Sequence, residues 1–278
     1  MLNSKKCSLL INTCDNYEDT WIPFFSLLSN YWGECPYSIY LNTEEKNISY
    51  NNLDIEVINH SKNMQWSDRL IDSLKKIKTK YVILMLDDFF INADVNQDKL
   101  DQCINWMDQN PDVAVFSFAS SLWKDIDDNK YEGFVLRPTE GEYRFNLQTA
   151  LWRKKQLIKI LRKGESPWQT EHMGTFRSRV LYSNKKFYAS EKGIPMIIPY
   201  EYGGAIHQGK WTKGTPELLK KNNISTIDYS IRGFDPKSTE EWSKLHLDEV
   251  PVITKKSLKM KIGEYLVALG IIKARKQI

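Results

Sequence analysis

The sequence has no G-x-G-x-x-G run and no G-x-x-x-x-G-K-[ST] run. A dinucleotide fingerprint and a Walker loop are therefore excluded, and any bound nucleotide must be held by side chains rather than by a glycine cradle. The four cysteines, Cys7, Cys14, Cys35 and Cys103, form no C-x-x-C pair, and their spacings suit no zinc site. They read as buried thiols in a reducing compartment. No window of ~20 apolar residues occurs, so no membrane-spanning helix is expected. Met1-Leu2-Asn3-Ser4-Lys5-Lys6 lacks the apolar stretch of a secretory leader. The expectation is a protein kept in the cytoplasm.

What is present suits one soluble domain. The chain has 278 residues, 41% of them hydrophobic and 27% charged, enough to bury a sizeable core. The net charge of +4 is a mild excess of base, and nucleic acid is not expected as a partner. Aromatic residues reach 12%, which serves a core and also suits sugar rings and nucleobases.

The most informative stretch is Tyr81-Val82-Ile83-Leu84-Met85-Leu86-Asp87-Asp88-Phe89-Phe90. Six uncharged residues without polar alternation predict a strand buried on both faces. They run into two adjacent carboxylates, at the strand end where open α/β sheets bind ligands. Adjacent acids repel, and a cation, a sugar hydroxyl or a basic partner is the usual reason to keep them. The bland alternative is a helix cap or a salt bridge to a lysine.

Around this strand the first ~120 residues alternate strand and helix, which predicts a doubly wound sheet. Strands are expected at Ser8–Asn12, Tyr37–Leu41, Ile55–Ile58 and Val113–Phe118. A helix with Pro23 in its first turn carries Phe24, Leu27, Leu28 and Tyr31. A second begins at Trp66-Ser67-Asp68-Arg69, with Ser67 as N-cap and a Trp66–Ile71 staple. A third carries Leu100, Cys103, Ile104 and Met107 and stops near Asn110-Pro111. Beyond it the pattern loosens. Phe145–Trp152 and Ile194–Pro199 read as strands, and Lys154–Arg162 and Pro167–Arg179 as helices.

Further constellations accompany the acid pair. Thr13-Cys14-Asp15 ends the first strand, either as a plain helix-start turn or as a nucleotide contact through Asp15. At a helix start, Arg69 can reach Asp87-Asp88 or a phosphate, and Asp68 a base or sugar hydroxyl; an exposed ion pair is the alternative. Trp168 stands three residues before Glu171, which puts both on one helical face, where an aromatic can partly desolvate a carboxylate acting as general base, with His172 in support. Gly203-Gly204 precede His207 and Lys210, a loop that lets backbone approach a ligand and offers a metal or phosphate contact, or merely needs positive φ. From Thr254 to Ile278, Lys255, Lys256, Lys259, Lys261, Lys273, Arg275 and Lys276 flank Leu258, Ile262, Tyr265, Leu266, Leu269 and Ile272. This reads as a basic amphipathic helix, lying on an anionic membrane surface or packed on the body.

In their order, these pieces resemble a bacterial GT-A glycosyltransferase of the family-2-like group, over roughly residues 8–212. The resemblance implies a GT-A-like, Rossmann-related α/β domain over residues 1–253. Its mostly parallel central sheet is flanked by helices, and a helical extension follows at 254–278. It implies transfer of a sugar from a nucleotide-sugar donor to a saccharide or lipid-linked acceptor in surface polysaccharide synthesis, such as capsule or lipopolysaccharide. The enzyme would be cytoplasmic or peripheral on the inner membrane face. Glu171 would be the base of an inverting reaction. Thr13, Asp15, Asp68, Arg69, Asp87, Asp88, His207 and Lys210 would line the donor site, and Asp88 would hold a divalent cation, Mn²⁺ or Mg²⁺. The sequence departs from the family's Asp-x-Asp at Phe89, which leaves either a shifted register through Asp88 or a weak metal or none. Two other readings stand beside this one. A saccharide- or nucleotide-sugar-binding protein without turnover fits Phe89. A sugar-phosphate nucleotidyltransferase fits the sheet but not the glycine-poor Asn12-Thr13-Cys14-Asp15.

Overall fold

The computed structural model describes residues 3–51, 53–120, 125–201, 203–237, 262, 263, 265–267, 270 and 271. In chain order, β1 (Cys7–Asn12), α1 (Glu18–Trp32), β2 (Ser38–Asn42), β3 (Ile55–Ile58), α2 (Trp66–Lys76) and β4 (Tyr81–Leu86) make the first half. Then come α3 (Gln97–Gln109), β5 (Val113–Ser120), β6 (Phe134–Leu136), β7 (Ala150–Arg153), α4 (Lys154–Ile160), α5 (Pro167–Leu181) and β8 (Lys186–Ser190). A short ribbon, β9 (Ile206–His207) and β10 (Lys210–Trp211), leads to α6 (Thr215–Lys221).

Eight strands form one sheet in the order β3-β2-β1-β4-β7-β5-β8-β6. The pairs β3-β2, β2-β1, β1-β4 and β5-β8 are parallel. β7 runs antiparallel between β4 and β5, and β6 antiparallel to β8. The expected α/β architecture, a mostly parallel sheet flanked by helices, is therefore present. The unbroken apolar run of β4 has its predicted cause. Ile83 and Met85 pack with Leu9 and Ile11 of β1 and with residues of α1 and α3 on one face. Val82 and Leu84 pack with Leu10, with Leu70 and Leu74 of α2, and with Leu157 of α4 on the other. Each such fully buried side chain contributes roughly 1.5–3 kcal/mol.

Several local expectations are corrected. α1 starts at Glu18 after a single 3₁₀ turn, Asp15–Tyr17, so Pro23 lies inside the helix, beyond its first turn. α2 already begins at Trp66, so the Trp66–Ile71 staple does not form as drawn. Ser67 does not cap it; its hydroxyl accepts the Glu165 amide at 2.9 Å instead. Only Ala150–Arg153 of the expected 145–152 strand is a strand. The preceding residues leave the ladder because α5 takes over their polar groups: the Thr175 hydroxyl donates to the Phe145 carbonyl at 2.9 Å, and the Leu147 amide donates to Glu171 at 2.7 Å. Residues 194–199 form no strand. Two prolines remove donors there, and the carbonyls of Ile197 and Pro199 instead accept the amides of Asn96 and Asn92. β6 and β8 were not anticipated.

All four cysteines are free, with Cys7 and Cys103 buried. Among the described residues no helix is long and apolar enough to cross a membrane. The 253/254 boundary lies outside the described residues, as does the amphipathic reading of 254–278 apart from the few positions named above.

Gly174, inside α5, packs against Phe145. A Cβ there would sit 2.5 Å from Phe145 Cδ1, and that ring is fully buried and packed on Trp152. Replacing a mid-helix glycine by alanine ordinarily gains ~1 kcal/mol, whereas overpacking a core costs about 1–3 kcal/mol. Gly174→Ala is therefore expected to destabilise the fold by about 1 kcal/mol. A urea unfolding midpoint that falls at unchanged slope checks this.

Candidate functional site

The site begins with strand register. β1 and β4 pair in parallel with Asn12 opposite Leu86, so Thr13 and Asp87 leave the sheet side by side at its carboxyl edge. The Thr13 hydroxyl donates to Asp87 Oδ2 at 2.6 Å and accepts the Trp21 indole N–H at 2.9 Å. The Thr20 hydroxyl lies 3.0 Å from the same carboxylate oxygen. Asp87 is thus buried and held. Asp88 is half-buried; its own backbone amide favours its charge, and among the described residues no side chain bonds to its carboxylate. Gly204 closes over it. At φ +79°, a Cβ at this glycine would lie 2.7 Å from Asp88 Oδ2, and the next amide, of Ala205, donates to the Asp88 carbonyl at 2.7 Å. Only glycine fits there.

Burial pushes the Asp87 carboxyl above its usual range, against the two threonine hydroxyls that favour its charge. Burial also pushes Asp88 up, and the charge of Asp87 adds to it. Among the described residues, one cation works against both shifts: Arg232. Its Nε and Nη2 grip Asp19 at 2.6 and 2.5 Å, Nη2 also donates to the Asn16 carbonyl at 2.7 Å, and its guanidinium lies 4.3 Å from the Tyr17 ring centre. Sequence reading missed Arg232, because no motif surrounds it and its partners lie more than 200 residues away.

Phe89, at the position of the absent second acid, points into the core. It is 3% exposed and stacks on Tyr200 with ring centres 4.6 Å apart. The Tyr200 hydroxyl donates to Gln148 Oε1 at 2.9 Å and accepts the Thr149 amide at 3.3 Å. Because β7 runs antiparallel, with Ala150 opposite Leu84, residues 145–149 arrive at the same sheet edge as the acid pair. The Leu147 amide then donates to Glu171 Oε1 at 2.7 Å. Burial raises the Glu171 carboxyl above its usual range, and the Leu147 amide works against that rise. Trp168 does not supply the burial, since it is 77% exposed.

The remaining predicted residues take up other positions. Asp15 accepts the amides of Glu45 and Lys46 at 3.1 and 3.2 Å and the Thr43 hydroxyl at 3.0 Å. Burial alone would raise its carboxyl, but these donors outweigh it and hold it below the usual range. Arg69 is committed to Glu44 at 2.8 Å and to the carbonyls of Met64 and Thr13, not to the acid pair. Asp68 accepts the Gly164 amide at 2.8 Å and fastens α2 to the loop before α5. His207 Nδ1 lies 2.6 Å from buried Asp235 on the ribbon, and Lys210 faces solvent beside it.

The donor set bears on a cation. Among the described residues, no three His, Cys, Asp or Glu side chains converge on one point. A lone carboxylate under a glycine backbone fits a Mg²⁺- or Mn²⁺-type ion that completes its shell with water and substrate phosphates, rather than a protein cage. Asp88 is that carboxylate.

No protein-family model matches the chain, and a search of curated proteins found no match. Solved structures share features of the fold. TarS 1–349 from S. aureus is 12% identical, with 95% of this chain and 79% of that chain covered at a TM-score of 0.44. The mannosyltransferase PcManGT from Pyrobaculum calidifontis, in complex with GDP-Man and Mn²⁺, is 11% identical over 98% and 76%, with a TM-score of 0.48. A cytidylyltransferase from Leptospira borgpetersenii is 14% identical over 90% and 99%, at 0.46.

The acid pair makes a sign-determined prediction. A carboxyl whose folded pKa is raised costs stability as pH climbs from its unfolded value through its folded one, because the folded state then must give up a proton it favours. Asp88→Asn is therefore expected to raise the melting temperature near about pH 7.5 and to lose that advantage toward about pH 3, below the unfolded value of roughly 3.9, where the wild-type carboxyl is largely protonated in both states. Thermal unfolding across that range measures it. An equal gain at both ends would contradict the raised pKa.

Proposed function

We propose that the chain is a glycosyltransferase. It moves a sugar from a nucleotide-sugar donor to a saccharide or lipid-linked saccharide acceptor, in bacterial surface polysaccharide synthesis, with inversion at the anomeric carbon. The observation that carries this reading is the pairing of two unlike carboxylates at one sheet edge. Asp88 lies beneath Gly204 with no side-chain donor. Glu171 is tied to the same edge through Leu147, Gln148, Tyr200 and Phe89.

In this proposal Asp87 and Asp88 receive the ribose and diphosphate side of the donor, with Thr13 and Thr20 fixing Asp87. Thr13 and Asp15 shape the nucleoside end. Asp68 and Arg69, placed in the supporting layer, stiffen that wall. His207 and Lys210 on the ribbon face the phosphates. A divalent cation at Asp88 would offset the negative charge gathering on the departing diphosphate. Glu171 takes the proton from an acceptor hydroxyl as that oxygen bonds to the anomeric carbon in line, and the bond from that carbon to the diphosphate oxygen breaks on the opposite face. A carboxylate desolvated enough to bind a proton more tightly than usual suits this task near neutral pH. The basic 254–278 segment is proposed to hold the enzyme on an anionic membrane surface.

A panel of nucleotide sugars titrated by calorimetry, with and without Mn²⁺ or Mg²⁺, tests the donor. Absence of binding to all of them would sink the proposal. Glu171→Gln is expected to lower turnover by ~10²-fold or more with donor affinity nearly unchanged; loss of both together makes Glu171 a donor contact instead. Turnover that survives the substitution intact favours a binding protein without catalysis. The wild-type rate is expected to fall as pH drops through the raised Glu171 pKa. Deleting residues 254–278 is expected to abolish co-sedimentation with anionic vesicles.

A further inference from the structure

The residues just before β7 carry two side-chain amides that the fold only half engages. Leu147 is 3% exposed and packs in the core, whereas Asn146 and Gln148 on either side of it are half-buried. Each amide has its oxygen occupied. The Tyr200 hydroxyl accepts the Thr149 amide at 3.3 Å and donates to Gln148 Oε1 at 2.9 Å. The Gln148 backbone amide donates to Asn146 Oδ1 at 3.3 Å. Both NH₂ groups are therefore turned away from these bonds, and neither finds an acceptor among the described residues.

The mount of Gln148 is rigid. Tyr200 is 3% exposed, its ring stacks on Phe89 with centres 4.6 Å apart, and its backbone bridges Ile91. The Asn92 amide donates to the Pro199 carbonyl at 3.0 Å beside it. The carboxamide is thus fixed to the segment that directly follows Asp88. One residue earlier than Gln148, the Leu147 amide donates to Glu171 Oε1 at 2.7 Å, and Glu171 Oε2 has no partner among the described residues. Gln148 stands in the chain of contacts that runs from Asp88 through Phe89 and Tyr200 to Glu171.

That position decides what it can read. In-line transfer requires the migrating group to lie between the leaving diphosphate and the attacking hydroxyl. With the diphosphate at Asp88 and the hydroxyl at Glu171, the transferred sugar lies beside the residues that join them. A sugar ring carries a rim of oxygens that accept hydrogen bonds, and a carboxamide whose oxygen is engaged offers two N–H donors in one plane. We propose that Gln148 is a specificity-determining residue that donates through Nε2 to an oxygen of the transferred sugar, and that Tyr200 is the positioning residue that orients the carboxamide for it. Asn146 supplies a second donor from the same loop. The inference rests on the glycosyl-transfer reading above and adds to it the group that reads the sugar part of the donor, apart from its nucleotide. A site that donates to a substrate oxygen discriminates against an analogue lacking that oxygen.

Calorimetry on the full chain with UDP-glucose, UDP-N-acetylglucosamine and GDP-mannose, each compared with UDP or GDP alone in the presence of Mn²⁺, tests this. The wild type is expected to bind at least one nucleotide sugar. Gln148→Met removes the donor without adding charge. Gln148→Glu keeps an acceptor for Tyr200 and sets a second acceptor where the donor was. Either should weaken the nucleotide sugar on the order of tenfold, the effect of one well-placed hydrogen bond. Gln148→Met should leave the bare diphosphate unchanged. Tyr200→Phe, which keeps the ring on Phe89, should weaken the nucleotide sugar by a smaller factor and spare the diphosphate. Nucleotide-sugar binding that both Gln148 variants leave at the wild-type level overturns the contact, and the donor reading stands. Equal weakening of nucleotide sugar and bare diphosphate by Gln148→Met, with a fall in melting temperature, also overturns it and makes Gln148 structural. A wild type that binds no nucleotide sugar removes the glycosyl-transfer reading together with the contact.

Discussion

Two carboxylates follow one another at the end of a strand that is buried on both sides, and much of the surrounding structure answers to that repulsion. Desolvation and mutual charge both penalise the ionised pair. The neighbouring strand β1 supplies Thr13 and α1 supplies Thr20, both aimed at Asp87. Trp21 in turn fixes the Thr13 hydroxyl. Asp88 receives no hydroxyl, only its own backbone amide, and is left beneath a glycine that leaves no room for a side chain. The pair is asymmetric: one acid is immobilised, and the other is kept available at a cost to the fold, which is how strain accumulates at functional sites.

The second carboxylate arrangement depends on a reversal in the sheet. Were β7 parallel to β4, residues 145–149 would lie at the opposite edge, and Glu171 would lose its amide partner. With Ala150 opposite Leu84, the residues just before β7 reach the edge that carries Asp87 and Asp88. The Phe89–Tyr200 stack then ties them to the acid pair. Phe89 is therefore more than a missing acid. Through Tyr200 and Gln148 it connects the acid pair mechanically to the residues that hold Glu171.

The strength of each signal set what the sequence disclosed. The β1–β4 half was legible because unbroken apolar runs and amphipathic helices depend on local pattern, and β3 and β4 begin and end close to their predicted limits. The acid pair and Glu171 were legible as residue types in strand and helix context. The irregular segments 145–149 and 194–199 were not, since their polar groups are satisfied by distant partners rather than by a ladder. The partner of Arg69 was hidden for the same reason: Glu44 sits in a loop after β2 with no pattern to mark it. Trp168 was read as sharing a helical face with Glu171 and partly desolvating it, but it is 77% exposed; exposure depends on what the neighbouring elements leave uncovered, which periodicity does not encode.

The Arg232–Asp19 ion pair joins residues 213 positions apart, and it has a consequence for the order in which the protein comes into being. During synthesis the β1–β4 layer can collapse early, because its contacts are with nearby sequence. The guanidinium that tempers the acid pair emerges only after β8 and the ribbon have left the ribosome. Until then Asp87 and Asp88 face one another without that cation. The charge balance around the acid pair is therefore completed late in biogenesis, by a contact that spans most of the described chain.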